Sequence, residues 1–100
     1  MMDTVKSKAG VNIRLTSERW AHIVEGHNEL AGMREDVLET VAFPERILAG
    51  NAGELLAVCE KEPGRFIVVV YRELQEGGFI ITAFVTRRVQ SLDRRRKLWP

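Results

Sequence analysis

Cysteine and tyrosine each occur once in this chain of 100 residues, histidine twice and proline three times. A lone Cys59 excludes an intramolecular disulfide, and no Cys/His cluster signals zinc. No apolar run approaches the ~20 residues that a membrane-spanning helix needs. The first ten residues, MMDTVKSKAG, lack the apolar core of an export signal. A cytoplasmic protein with no membrane partner is therefore expected. A glycine-rich phosphate loop, paired carboxylates and a Ser/His/Asp arrangement are also missing, and Gly77-Gly78 reads as a hairpin turn. No cofactor and no metal site are implied. There is no internal repeat and no low-complexity segment.

What is present is the composition of a soluble globular domain, 45% apolar and 29% charged. The length fits one small domain with a single core. A net charge of +1 conceals an asymmetry. Residues 87–100 hold six basic side chains and one acid, whereas residues 1–86 hold nine basic and thirteen acidic. A near-neutral body with a basic end is one footprint of a polyanion-binding protein. A solvated terminus has the same composition.

Residues 1–10 are polar and expected to be disordered, with one domain over 11–100 and a basic tail from 87. Val11, Ile13 and Leu15 alternate with Asn12, Arg14 and Thr16, the period of a half-buried strand. Thr16 or Ser17 can cap the helix that follows, because a short hydroxyl accepts from its free first-turn amides. On that helix Trp20, Ile23, Val24 and His27 fall on one side, and His22 lies opposite among Glu18, Glu25 and Glu29. Gly26 weakens the last turn. A second helix carries Met33, Val37, Leu38, Val41 and Ala42 as its stripe and ends before Pro44.

The remainder reads as a meander. Strands are expected over 55–60, 66–72 and 79–86, with turns at 50–53, 62–65 and 76–78. FIVVVYR is apolar on both faces and therefore central. Strict alternation puts Ile80, Thr82, Phe84 and Thr86 on one face, and Phe79, Ile81, Ala83 and Val85 on the other. The tail can form a short helix in which Leu92 and Trp99 pack down. The expected fold is α+β in β-α-α-β-β-β order, two N-terminal helices lying on one face of a roughly four-stranded antiparallel sheet.

His22 and His27 are the acid–base candidates by residue type. Their five-residue spacing does not suit a shared metal ion. The plain alternatives are a core-edge histidine for His27 and a surface residue for His22. Thr82 and Thr86 could orient a phosphate, although threonine is also simply a good strand former. Arg14, Arg72, Arg87 and Arg88 lie at or near strand ends, and a guanidinium suits phosphate because its planar fork donates in pairs. Tyr71 fits the core better than a stacking role, and Cys59 reads as a small buried residue.

The run RLTSERWAHIVEGHNEL, followed by VLETVAFPERIL, FIVVVYRE and FIITAFVT, resembles the phage- and mobile-element-associated branch of the barnase/EndoU/colicin/RelE (BECR) nucleases. The resemblance covers roughly residues 11–86. It implies an α+β fold with helices before an antiparallel sheet and, for many members, RNA cleavage without a metal. The implied site residues are Arg14, His22, His27 and Thr82. Asn28 stands where the pattern has proline, and Phe84 where it has tyrosine. On this basis the expected function is a small ribonuclease of toxin-like type, with RNA as substrate and an inhibitor protein as partner. The alternative is a catalytically inactive module on the same fold that binds nucleic acid or protein. The oligomeric state is left open.

Overall fold

The computed structural model describes residues 2–100. In chain order the elements are β1 (Met2–Lys6), β2 (Asn12–Thr16), α1 (Ser17–Gly26), α2 (Arg34–Ala42), β3 (Arg46–Ala49), β4 (Leu55–Glu62), β5 (Arg65–Leu74), β6 (Gly77–Thr86), α3 (Val89–Asp93) and β7 (Lys97–Trp99). A 3-10 turn, Asn28–Leu30, joins the first two helices. The domain is α+β, as expected. Among the described residues no helix is long and apolar enough to cross a membrane.

The sheet differs from the expected one. It has seven strands in the order β1-β2-β6-β5-β4-β3-β7 and is mixed, because β2 runs parallel to β6. Three strands are additional: β3, between α2 and β4, and one from each terminus. Residues 2–6, expected to be disordered, pair with β2 from Met2↔Thr16 to Lys6↔Asn12. Arg34 Nε donates to Asp3 Oδ2 at 2.6 Å and ties β1 to α2. At the other end β7 pairs with β3, so the basic tail is part of the sheet. Short edge strands carry little periodicity of their own, and only their partners make them visible.

The helix signals operate as expected at the N-terminus of α1, where Arg19 N–H donates to Thr16 Oγ1 at 3.0 Å. Ile23, Leu30, Val37 and Val41 pack with Ile13, Leu15, Ile67, Val69, Tyr71 and Ala83 in the main core. Tyr71 is fully buried there and its hydroxyl has no partner among the described residues. Burial first, and the nearby Glu73 carboxylate second, push its pKa well above the ordinary phenol value.

The opposite sheet face carries a second, smaller cluster of Leu48, Leu56, Val58 and Val68 under Leu92 of α3. Arg46 Nη1 holds α3 down through Asp93 Oδ1 at 2.8 Å. Leu92 is 3% exposed, and Leu92→Ala is expected to cost about 3 kcal/mol of stability. A urea titration measures it; a midpoint equal to wild type would show that α3 contributes nothing to the fold. The short tail helix is present as α3 and Leu92 packs from it, but Trp99 lies in β7 on the other face, with Lys8 Nζ 4.4 Å from its ring centroid. The β1–β2 turn and β7 thus meet across the four strands between β2 and β7, so the sheet curls around its helix-bearing face.

One bulge matters for the site. Val70 pairs with Thr82 but Tyr71 pairs with Ile80, which leaves Ile81 as the extra residue. Alternation therefore breaks at Ile81. Ile80 turns into the main core beside Tyr71, and Phe79 moves to the opposite face with Thr82 and Phe84. Strict period-two reading had these two residues reversed.

Candidate nucleic-acid interface

α3 lies over β3 to β5 on the sheet face opposite α1 and α2, and Phe84 of β6 is half-buried at its edge. At that boundary Phe84, Thr86, Arg88, Leu92 and Arg95 line an open cavity of about 260 Å³. Thr86 Oγ1 accepts from Arg88 N–H at 3.0 Å and turns the chain from β6 into α3. Arg95 Nη1 donates to Ala49 O at 3.2 Å and Asn51 Oδ1 at 3.3 Å, so this guanidinium is held in place. Asp93, the single acid of the tail, is occupied by Arg46. The arginines around the cavity therefore keep their charge uncompensated by it.

His27 reaches the same place from the other side. The helix ends at Gly26, and His27 takes φ −139° and ψ 77° as its C-cap. It does not ride the buried stripe that a continuous helix would give it. Its side chain is 39% exposed. Beyond Phe79 no ladder to β2 is formed, because that pairing comprises Ile13↔Gly78 and Arg14↔Phe79. The 3-10 turn fills this edge, and Val85 N–H donates to Glu29 Oε2 at 3.5 Å. The same carboxylate oxygen lies 3.6 Å from His27 Nδ1. The imidazole ring stands 6.2 Å from the Phe84 ring, tilted by 37°. Phe84 is thus a neighbour of the His27 imidazole and also lines the Arg88/Arg95 cavity.

The other sequence candidates fall into three groups. Thr82 lies on the same face as Phe84, opposite Val70 and half-buried. Arg14 and Arg72 flank Phe79 farther along β6, and Arg87 is exposed at the strand's end. His22 is not brought to this surface. It is exposed on α1, in a shallow depression with Thr16, Glu18, Arg19 and Glu25, so its expected partnership in catalysis finds no support in the geometry. The reason is angular: five residues on a helix is far from a whole number of turns. Phe84 and Arg95 were missed as site residues. The alternation of Phe84 with Thr82 and Thr86 was the available signal for the first. For Arg95 there was none, because its position depends on the β3–β4 loop.

That loop contains an acid. Glu54 Oε1 accepts from Ala52 N–H at 2.7 Å. This bond chiefly lowers the Glu54 pKa, helped by its own backbone amide and then by Arg72 and Arg95, with burial opposing. A lowered native pKa contributes stability above the unfolded value and loses it as pH falls through the native value. The 50–54 loop is therefore expected to loosen below the ordinary carboxylate range. The Ala52 amide resonance should titrate there by NMR, and a pH-independent resonance would contradict the assignment. Among the described residues no group of three or more His, Cys, Asp and Glu side chains could hold a metal ion.

Comparison with protein-family models, with curated proteins and with solved structures finds no match to this chain.

Proposed function

We propose that this domain is RNA-directed and cleaves RNA with its own side chains, His27 acting as the acid–base group. The observation that carries the proposal is the arrangement around Phe84, whose ring stands 6.2 Å from that of His27 and lines one cavity with Arg88 and Arg95. A base stacks on the phenyl ring. The guanidiniums donate to non-bridging phosphate oxygens. Thr82, on the same strand face, orients the phosphate. Glu29 beside Nδ1 favours the tautomer that carries its proton there, leaving Nε2 as acceptor. Nε2 takes the proton of a ribose 2′-hydroxyl, and the oxygen attacks the adjacent phosphorus. The bond from phosphorus to the 5′ oxygen breaks, and that oxygen takes a proton from water. The products are a 2′,3′-cyclic phosphate and a 5′-hydroxyl. The family resemblance supports the same chemistry and adds the toxin-like role and its inhibitor protein.

A second reading, a non-catalytic nucleic-acid-binding module, has specific observations in its favour. His22 is away from the interface, so His27 has no second imidazole beside it, and Phe84 lacks the hydroxyl of the tyrosine in the resembling pattern. One experiment separates the two. Mixed-sequence RNAs are incubated with the protein in excess chelator, and their ends analysed. Cyclic-phosphate ends support the ribonuclease. Salt-sensitive binding without cleavage supports the module. Neither cleavage nor binding would remove both.

A further inference from the structure

We infer that Arg14, Phe79 and Arg72 form a second nucleotide station, so that the surface takes single-stranded RNA laid along β6 from Phe79 to Phe84. This rests on the reading of the surface as RNA-directed and names the form of the RNA. The three residues stand in one row across β2, β6 and β5, through the pairs Arg14↔Phe79 and Arg72↔Phe79. Ile13 and Tyr71 belong to the main core, so their neighbours Arg14 and Arg72 point to the opposite face, the face the bulge gives Phe79. Side chains directly opposite in a sheet lie about 5 Å apart at Cβ. Phe79 is 37% exposed and stands in register between Arg14 and Arg72.

The bulge is the reason to read this row as built. An unbulged β6 would turn Phe79 toward the helices, where it would bury its ring. The extra residue at Ile81 instead sends Phe79 outward, to the face of Phe84. Bulges characteristically re-aim a side chain in this way. Arg72 donates to Ala52 O at 3.1 Å, which anchors it on the β5 side. Among the described residues the Arg14 side chain has no hydrogen-bond or ion-pair partner. Glu54 beside Arg72 and Glu76 in the depression lined by Arg14 are acids that oppose this charge.

Spacing selects the nucleic acid. Phe79 lies opposite Arg72 and Phe84 opposite Val68, four residues apart on β5, or about 13 Å at the usual strand rise. Bases stacked in a duplex follow at ~3.4 Å and close their faces to one another. Two rings so far apart are both covered only by bases splayed from a single strand. The phosphates between those bases pass Arg14, Arg72 and Arg88.

Fluorescence anisotropy with a labelled eight-nucleotide 2′-O-methyl RNA, alone and annealed to its complement, tests this without cleavage intervening. The single strand is expected to bind at least about tenfold more tightly than the duplex. Phe79→Ala and Phe84→Ala should each weaken single-strand binding about tenfold, within the range of one lost base stack. Phe79→Tyr should retain it, and Arg14→Ala should flatten the salt dependence. Urea midpoints establish that the variants are folded. Equal affinity for strand and duplex, or binding indifferent to Phe79→Ala in a folded variant, overturns the inference. If such a variant still cleaves RNA with unchanged KM, the ribonuclease reading stands and the second station falls. A dimer that Phe79→Ala dissociates would assign the row to self-association and equally overturn it.

Discussion

His27→Ala is expected to lower RNA cleavage by about a hundredfold or more, the usual contribution of a positioned general base. The reason is positional as much as chemical. His27 is half-exposed at the unpaired edge of β6, oriented by Glu29 and set beside Phe84. The loss should fall on kcat, because the groups assigned to binding remain. Affinity for the non-cleavable single strand should therefore change little. His22→Ala should leave cleavage within about twofold, since His22 lies on α1 away from the interface. Cleavage by the His27 variant at the wild-type rate would end the proposed mechanism. A large loss from His22→Ala instead would mean that the site lies on the outer face of α1.

The second large effect concerns stability. Gly78→Ala is expected to destabilise the domain by about 3 kcal/mol or more. A Cβ at Gly78 would run into the Arg72 carbonyl oxygen and come within 2.8 Å of Ile13 Cδ1. The carbonyl belongs to the backbone of β5 and cannot swing aside. Gly78 is also where β6 meets both β5 and β2, through Glu73 and Ile13. Against a total of about 5–15 kcal/mol for a small domain, this loss is readily seen in thermal or urea unfolding. Gly26→Ala is the matching contrast. Nothing lies within 4 Å of a Cβ there, and the helix should gain up to about 1 kcal/mol. An unfolding midpoint of Gly78→Ala equal to wild type would mean that β6 does not lie against β5 at this register.

The pairing of β2 with β6 also explains how the site is assembled. It is short, so the rest of the β6 edge is left for the 3-10 turn, and the turn brings Glu29 and His27 to Phe84. The deletion of residues 90–100 that a dispensable basic tail would invite is not a clean probe of charge. It removes Leu92, the Arg95 anchor and β7 together. Arg88→Ala tests the electrostatic role without that damage.

Local pattern alone determined much of this protein. The Thr16 cap, the stripes of the first two helices, the break before Pro44 and the core runs of β4 and β5 all follow from side-chain period and backbone chemistry within a few residues. The tertiary structure decided the rest, because period reports which face a residue takes and not which strand it meets. The terminal strands exist through their partners, and the parallel register of β2 on β6 has no local signal. The bulge at Ile81 is hidden because its neighbours are apolar on both sides, yet it exchanges Phe79 and Ile80 between solvent and core. His27 leaves the helical stripe at Gly26, and the open edge of β6 gives it Phe84 as a neighbour. The residue types of the interface are written in the chain; their meeting depends on pairing between segments distant in sequence.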